Sequence, residues 1–378
     1  MKRAFLKPKE DRRISRGHLW AYRNEFAQLP GLEDGELVDV FGGGGRFIGR
    51  GFYQAEGGIA VRILDRHSTE IDSDFLRKRI ADALTLRQRF FPGSNVFRWV
   101  HGESDYLPGL IADRFDSVVS IQTPCAFYEK NLETLAQIFL DQADVTGVRF
   151  ASDHVVKTFG DVPDPMEITL DGIRLGFSLE KGQKTGFFLD QRENSRLLDF
   201  VASGGRVLDG YCYAGQWSCR ALKAGAASVL AVDTSPTAID WARKNVEANF
   251  GGTALGNTCR FECAPIEDVL RRGERYNVVC LDPPALAKTR SQAAKALDLY
   301  QAVNRDAMKA VESGGFLITS SCSQPVDVET FLEVLKRAAR SAKRRITVLA
   351  TRGAPPDHPV LLAMPETFYL KCVLLQVK

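Results

Sequence analysis

The sequence predicts an α/β protein whose C-terminal domain contains a mostly parallel β-sheet. Three observations predict it. Residues 181–378 alternate apolar strands with amphipathic helices, which is typical of a parallel sheet covered on both faces. Residues 1–72 contain short β-prone runs between glycine-rich turns, and residues 73–180 mix strand and helix patterns. We therefore expect three domains with these bounds: a small β-rich domain, an α+β linking domain and an α/β domain.

Composition excludes several classes of protein. The chain has 378 residues, of which 44% are hydrophobic and 26% charged, so it is expected to fold rather than to be disordered. No opening signal segment is evident, and no apolar window reaches the about 18 residues that span a membrane, which predicts a cytoplasmic protein without a membrane partner. Eight cysteines without a CxxC pair, together with only five histidines, predict neither a metal site nor disulfides.

Positive charge is concentrated in two places, although the net charge is only +3. Residues 1–25 contain eight Lys or Arg against three Asp or Glu, and residues 336–345 contain six Lys or Arg and no acid. A solvated helix face explains one such run equally well. Two runs, together with the motifs below, favour RNA as the partner.

The elements follow from periodicity and from Gly and Pro punctuation. Residues 73–91 begin with Ser and Asp, carry apolar residues at helical spacing and stop at Pro92, which predicts a helix. The N-terminal strand candidates are residues 35–42, 46–53 and 59–65. The C-terminal strand candidates are residues 206–210, 228–233, 259–263, 276–282, 315–321, 345–351 and 368–377. The helix candidates between them are residues 215–225, 235–251, 293–315 and 326–342.

Four chemically informative residues fall at or just past the ends of predicted strands. They are Asp209, Asp233, Asp282 and Cys322. Ligands of parallel sheets bind beyond the carboxyl ends of the strands. One crevice is therefore expected to hold all four.

The turn "VLDGYCYAGQW" (207–217) indicates which cofactor the crevice takes. A dinucleotide site needs G-x-G-x-x-G, and only Gly210 and Gly215 are present, which argues against NAD. S-adenosylmethionine has no phosphate and needs an acid near its amino-acid end and another for its ribose. Asp209 suits the first role, and Asp233, 18 residues after Gly215, suits the second. Alternatively, Asp233 only caps the following helix.

The segment "LDPPALAK" (281–288) presents the Asp282 carboxyl from a loop made rigid by two prolines. Methyltransferases that act on exocyclic amines usually have an aromatic residue after these prolines. Because Ala285 stands there, amine methylation is disfavoured.

Cys322 is the candidate nucleophile. Carbon 5 of a pyrimidine becomes reactive enough to take a methyl group once a thiolate has added to carbon 6. Cys322, on the strand expected beside Asp282, is placed for that attack, with the base turned out of its stack. The alternative is that Cys322 packs in the core, as Cys212 and Cys280 are expected to do.

Six motifs together resemble one family. They are "KGQKTGFFLDQREN" (181–194), "VLDGYCYAGQWS", "VLAVDTS", "LDPPALAK", "TSSCS" and "DHPVLLAMPETFYLK" (357–371). These look like the bacterial 23S ribosomal RNA cytosine-5 methyltransferases that carry an N-terminal PUA domain.

The resemblance has implications for fold, cofactor and assembly. It implies a Rossmann-like class I methyltransferase domain with seven strands, S-adenosylmethionine as cofactor, 23S ribosomal RNA as substrate and a homodimer. Catalytic roles would fall on Cys322 and Asp282. Cofactor contacts would fall on Phe188, Asp190, Gln191, Asp209, Tyr211, Gly215, Asp233, Thr234, Asp282 and Pro283.

Departures from the family pattern leave alternatives open. Ala264-Pro265 stand where an Asp usually contacts adenine, so a backbone carbonyl or Glu267 would have to replace it. Uracil-5 methylation uses the same thiol chemistry, with His358 and Glu366 as base candidates. A non-catalytic RNA-binding assembly factor is the rival from another class, and small-molecule methylation is disfavoured by the basic runs.

Overall fold

A computed structural model describes residues 1–182, 184–287 and 289–378. Gln183 and Lys288, which belong to the motifs at 181–194 and 281–288, lie outside the described residues. The chain forms two compact units. The first contains residues 1–164, 179–187 and 356–367, and the second contains residues 165–178, 188–355 and 368–378. The predicted domain boundaries after residues 72 and 180 stay a prediction.

The first unit begins with a six-stranded sheet that confirms the three predicted N-terminal strands. Its strands are β1 (Lys2–Leu6), β2 (Trp20–Tyr22), β3 (Phe26–Gln28), β4 (Leu37–Phe41), β5 (Phe47–Tyr53) and β6 (Ile59–Asp65). They are ordered β2-β6-β5-β4-β1-β3, and only β1 and β4 pair in parallel. In β4, Val38 and Val40 face the core while Asp39 faces outward and pairs with Arg50 at 2.7 Å. This alternation is the period-2 signal of a half-buried strand.

The first unit also contains a five-stranded sheet and, among its described residues, four α-helices. The strands are β7 (Val96–His101), β8 (Ile111–Phe115), β9 (Val118–Gln122), β10 (Gly147–Ala151) and β11 (Val156–Gly160), in the order β11-β10-β9-β8-β7. The helices are α1 (Arg12–Ser15), α2 (Ser73–Phe90), α3 (Ala126–Lys130) and α4 (Leu132–Leu140). Helix α2 is the helix predicted at 73–91. Asp72 caps it by accepting a hydrogen bond from the Phe75 amide at 2.9 Å.

The second unit is built on a seven-stranded sheet next to a hairpin. The hairpin is β12 (Met166–Leu170) and β13 (Ile173–Phe177). The sheet strands are β14 (Arg206–Gly210), β15 (Ser228–Asp233), β16 (Cys259–Cys263), β17 (Tyr276–Leu281), β18 (Val311–Ser321), β19 (Ile346–Arg352) and β20 (Lys371–Val377). They are ordered β16-β15-β14-β17-β18-β20-β19, with β14 to β18 parallel and β20 antiparallel to both neighbours. The predicted mostly parallel, seven-stranded sheet is confirmed.

Helices alternate with these strands along the chain. They are α5 (Arg192–Ser195), α6 (Leu198–Val201), α7 (Gln216–Lys223), α8 (Pro236–Phe250), α9 (Ile266–Leu270), α10 (Ala293–Ala310) and α11 (Val328–Ala342). Tyr300 of α10 and Phe331 of α11 are fully buried, and their rings meet edge to face at 5.6 Å. Among the described residues, no helix is long and apolar enough to cross a membrane.

The largest errors in the predicted boundaries lie at one junction between a helix and a strand. The helix expected over 293–315 ends at Ala310, and the strand expected from 315 begins at Val311. Val311 adopts extended angles (φ −79°, ψ 134°) and pairs with Tyr276 of β17. A β-branched residue that is fully buried in a sheet gains more there than as a further turn of helix.

Candidate active site at the carboxyl edge of the sheet

The four residues expected to share a crevice lie at one edge of the seven-stranded sheet. Strands β15, β14, β17 and β18 are consecutive neighbours and run parallel, so their carboxyl ends meet at the same edge. Asp209 is the fourth residue of β14, and Asp233 is the last of β15. Asp282 and Cys322 directly follow β17 and β18.

Asp209 has an unsatisfied oxygen that suits a ligand. The residue is 1% exposed, and Ser218 Oγ donates a hydrogen bond to its Oδ2 at 2.6 Å. Its Oδ1 has no hydrogen-bond partner among the described residues. Burial raises the pKa of Asp209 to about 7, so a nearby cation would stabilise the ionised form. The amino group of S-adenosylmethionine is such a cation. Ser218 is a site residue that the sequence reasoning missed.

Asp233 does not act as the N-cap of α8. Ser235 is the cap, because its side chain accepts a hydrogen bond from the Ala238 amide at 3.3 Å. The Asp233 carboxylate instead accepts from the amides of Tyr213 at 3.0 Å and Ser235 at 2.9 Å. It is only partly buried, so oxygen lone pairs stay available to ribose hydroxyls. The neighbouring Thr234 is exposed.

The turn after β14 has an unusual backbone. Tyr211, Tyr213 and Gly215 all adopt left-handed angles, with φ of 64°, 46° and 79°. A Cβ atom on Gly215 would lie 2.9 Å from the Cβ of Ala242, so glycine is needed where α7 begins close to α8. The Tyr213 ring meets the Phe188 ring edge to face at 5.0 Å. Phe188 is thereby held beside this turn, as a cofactor contact would require.

Residues 264–267, which the sequence predicts at the adenine end of the cofactor, contact Tyr211 and Asp233. Tyr211 donates a hydrogen bond to Glu267 Oε1 at 3.2 Å. The Ala264 amide donates to the Asp233 carbonyl at 3.0 Å. Glu267 is partly exposed, and within residues 1–182, 184–287 and 289–378 its side chain accepts the hydrogen bond from Tyr211 through Oε1. Glu267, one of the two predicted substitutes for the missing Asp, therefore remains a candidate contact for adenine.

Asp282 is held by a chain of amides. Gln191 Nε2 donates to Asp282 Oδ1 at 2.6 Å, and Asn194 Nδ2 donates to Gln191 Oε1 at 2.8 Å. Asn194 also donates to the Gly353 carbonyl at 3.1 Å, which fixes the orientation of the whole chain. The sequence reasoning identified Gln191 but missed Asn194, because nothing local to "QREN" indicates a contact with Gly353.

The protonation of Asp282 depends on Asp190. Desolvation, followed by the negative charge of Asp190, raises the pKa of Asp282 to about 7. Asp190 is itself held by Tyr369, whose hydroxyl donates to its Oδ2 at 2.7 Å. Asp282 can therefore act as a protonated donor or as a carboxylate near neutral pH.

Cys322 differs from most other cysteines of the chain. All eight lie in the described part of the chain, and six of them are buried, including Cys212 and Cys280 as predicted. Cys263 is exposed and Cys322 is partly exposed. The Cys322 sulfur lies 3.7 Å from the carbonyl oxygen of Pro283 in the double-proline loop.

The double-proline loop and the Cys322 segment are joined at a second point. Ser323 Oγ accepts from the Ala287 amide at 3.0 Å and lies 2.9 Å from the Tyr300 hydroxyl. Pro283 is buried at the start of the loop. The two contacts keep the thiol and the Asp282 loop together. Among the described residues, no cluster of His, Cys, Asp and Glu could hold a metal ion.

Comparison with known proteins identifies the family. Residues 5–66 match the PUA-like domain family, and residues 143–367 match the family described as S-adenosylmethionine-dependent methyltransferase. The chain belongs to the S-adenosylmethionine-dependent methyltransferases. S-adenosylmethionine is accordingly the cofactor of this methyltransferase, and the unsatisfied oxygen of Asp209 fits its amino group.

Named relatives match the methyltransferase over its whole length. Ribosomal RNA large subunit methyltransferase I from Alteromonas mediterranea is 32% identical, over 99% of this chain and 98% of that protein. The protein of the same name from Shewanella amazonensis is 33% identical, over 99% of both chains.

Solved structures share the fold. A "putative sam-dependent methyltransferase" from Streptococcus mutans superposes with a TM-score of 0.86 at 18% identity, covering both chains completely. The tRNA m1G37 methyltransferase of M. jannaschii reaches a TM-score of 0.54 at 16% identity, over 87% of this chain and 90% of its own. The predicted arrangement of a PUA-like β domain before a Rossmann-like methyltransferase domain is thus confirmed.

Proposed function

We propose that this protein methylates carbon 5 of a cytosine in the 23S RNA of the large ribosomal subunit through a covalent adduct with Cys322. The relatives that match nearly all of the chain carry a name that specifies large-subunit ribosomal RNA. The position of Cys322 is the observation that supports methylation at carbon 5 through a covalent adduct. Cys322 is a partly exposed residue at the edge of the sheet that holds Asp209 and Asp233, and its sulfur contacts the loop that carries Asp282.

The chemistry proceeds in steps that these residues can perform. The Cys322 thiolate adds to carbon 6 of the base, and the electron pair that this places on carbon 5 takes the methyl group. S-adenosylmethionine, when bound, supplies that methyl group from a positively charged sulfur. A base then removes the proton from carbon 5, the bond to sulfur breaks, and the carbon 5 to carbon 6 double bond is restored. Cys322 leaves as the thiolate that began the cycle.

Asp282 supports the addition step in this proposal. When thiolate adds to carbon 6, negative charge spreads into the ring, and a protonated carboxyl beside ring nitrogen 3 stabilises it by hydrogen bonding. The raised pKa of Asp282, about 7, keeps part of the population protonated at neutral pH. Gln191 donates to Oδ1, and we assign the proton that faces the base to Oδ2.

Uracil-5 methylation is the second candidate, with His358 and Glu366 as its predicted base residues. His358 is 3% exposed, and its Nδ1 lies 2.8 Å from Asp357 Oδ1 within the first unit. Glu366 Oε1 lies 3.6 Å from His18 Nε2 in the same unit. The decisive experiment is mass mapping of methylated pyrimidines in large-subunit RNA from cells with and without the protein. Loss of one 5-methylcytosine supports the proposal, and loss of a 5-methyluridine contradicts it.

Replacing Asp233 with alanine should weaken S-adenosylmethionine binding by about ten- to a hundredfold, the cost of about 1.5–3 kcal/mol for hydrogen bonds to a charged group. Isothermal titration calorimetry measures the affinity. Asp240→Ala is the matched control, because Asp240 is an exposed acid on α8. An unchanged affinity in Asp233→Ala would remove Asp233 from the cofactor site. The same titration tests the non-catalytic alternative, which expects no cofactor binding by the unmodified protein.

Replacing Arg12 and Arg16 with glutamine should lower affinity for a large-subunit RNA transcript while cofactor affinity is unchanged. Both side chains are exposed, and no acid pairs with them among the described residues. Each lost phosphate contact should reduce the slope of log affinity against log salt by about 0.7 on single-stranded RNA. The control is Arg77→Gln with Lys78→Gln, which removes the same charge from side chains paired with Asp141 and Asp82. Equal slopes for the two double variants would count against an RNA contact at the N-terminus.

The homodimer implied by the resemblance belongs to the same proposal. Light scattering of the purified protein, with a measured mass near twice the chain mass of 41.9 kDa, would support it.

A further inference from the structure

Lys371 is a buried lysine whose charge the proposed mechanism does not yet use. It is the first residue of β20 and is 0% exposed, next to buried Leu370, Cys372 and Val373. Burying an ammonium group costs free energy unless partners replace its water. Its Nζ donates to two backbone carbonyls, those of Ser323 at 2.7 Å and Tyr369 at 2.8 Å. In the described part of the chain, none of its hydrogen bonds goes to a carboxylate, so these bonds leave the positive charge uncompensated.

Lys371 lies alongside the Cys322 segment. In the antiparallel pairing of β18 and β20, Lys371 stands opposite Ser321, the residue before Cys322. Its ammonium binds the carbonyl of Ser323, the residue after Cys322. Lys371 is therefore held against the segment that carries the thiol by contacts with the residues before and after Cys322.

The charged and titratable groups around this ammonium come from three elements. Cys322 follows β18, Asp327 is the N-cap of α11, and Tyr300 of α10 reaches Ser323 through its hydroxyl. Negative charge on Cys322 and, to a smaller extent, on Asp327 favours the protonated lysine. Such a coupling is reciprocal, so the protonated lysine favours the thiolate of Cys322 by the same free energy.

We propose that Lys371 is a positioning residue that stabilises the thiolate of Cys322 and holds its segment in place. The assignment rests on the proposed function of Cys322, since a nucleophilic thiol reacts as the thiolate that such a charge stabilises. Burial lowers the pKa of Lys371 to about 8. The ammonium form therefore predominates at pH 7, and its support for the thiolate declines as the pH rises through 8.

The test is the pH dependence of Cys322 alkylation by iodoacetamide, measured without RNA by peptide mass spectrometry. Three variants separate the contributions. Lys371→Met removes charge and hydrogen bonds at similar volume, Lys371→Gln keeps a hydrogen-bond donor without charge, and Lys371→Arg keeps the charge. The two neutral variants should react about tenfold more slowly at pH 7, which corresponds to a rise of about one unit in the thiol pKa. Lys371→Arg should recover most of the wild-type rate.

Controls make each outcome decisive. The exposed Cys263 of the same molecule is the reference thiol, and its rate should not change in any variant. Binding of S-adenosylhomocysteine reports whether each variant is folded. Folded neutral variants with the wild-type alkylation profile would overturn the proposal. If neither neutral variant folds, the wild-type protein decides the question. An alkylation rate of Cys322 that reaches half its maximum only above about pH 8.5, the pKa of a free cysteine, would overturn the proposal.

Methylation is measured separately on the same proteins. A variant Cys322→Ala that methylates RNA normally would refute the covalent function, whereas the alkylation profile would still decide whether Lys371 stabilises the thiolate. Failure of one assignment is therefore distinguishable from failure of the other.

Discussion

Cys322→Ala should abolish methyl transfer to large-subunit RNA, lowering kcat by about a thousandfold or more, as deletion of a covalent nucleophile does. The physical reason is that carbon 5 stays unreactive when no thiolate adds to carbon 6. Affinity for S-adenosylmethionine should be unchanged, because the cofactor contacts proposed here are made by other residues. Transfer of a radiolabelled methyl group to an RNA transcript measures the first quantity, and calorimetry measures the second.

Cys263→Ala is the matched control for this prediction. Cys263 ends β16 at the carboxyl edge of the same sheet and is the exposed cysteine of the chain, yet no step of the mechanism uses it. It should retain wild-type transfer. Full activity in Cys322→Ala, or loss of activity in Cys263→Ala alone, would mean that another group attacks the base or that no covalent step occurs.

Asp282→Ala should lower kcat by about 10²–10³-fold, the usual loss when a preorganised hydrogen-bond donor is removed from the charge that develops in a transition state. The pH dependence adds a sharper test. Because the pKa of Asp282 is raised to about 7, its protonated form is present below pH 7 and disappears as the pH rises above it. Where Cys322 is already ionised, wild-type kcat should therefore decline as the pH rises above about 7.

Two further variants isolate the proton of Asp282. In Asp282→Asn the side-chain amide keeps a donor at all pH values, so kcat should fall less than in Asp282→Ala and the alkaline decline should vanish. In Asp190→Asn the neighbouring negative charge is lost, so the pKa of Asp282 should fall and the decline should move to lower pH. Single-turnover rates between pH 6 and 9 measure both effects. An alkaline decline that survives in Asp282→Asn would assign it to another group.

Local sequence patterns predict most of the second unit because its elements have strong periodicities. The strands at 206–210, 228–233 and 259–263 have the predicted bounds. The carboxyl ends of neighbouring parallel strands lie at the same edge of a sheet. The positions of Asp209, Asp233, Asp282 and Cys322 at strand ends were therefore enough to predict that they lie at one edge. The boundary predicted at residue 315 was wrong, because the pairing of Val311 with Tyr276, and not helical periodicity, determines where the strand begins.

The side-chain hydrogen bonds that hold Asp282 and Asp190 could not be predicted from local sequence patterns. Gln191 and Asp282 are 91 residues apart, and Tyr369 and Asp190 are 179 apart. No local periodicity encodes such pairs. The sequence does contain a signal for Lys371. A charged residue at the start of the apolar run "CVLLQV" needs a specific hydrogen-bond partner when it is buried. The hydrogen bond to Ser323 supplies that partner.

Trapping the adduct tests the covalent mechanism most directly. RNA in which cytidine is replaced by 5-fluorocytidine has no carbon 5 proton to lose, so the methylated adduct cannot release the thiol. Incubation with S-adenosylmethionine should give a protein–RNA complex that survives denaturation, with the nucleotide attached to the peptide that contains Cys322. The complex should not form with Cys322→Ala. Methylation of ordinary RNA without any trapped adduct on the fluorinated RNA, or an adduct on a different residue, would contradict the mechanism.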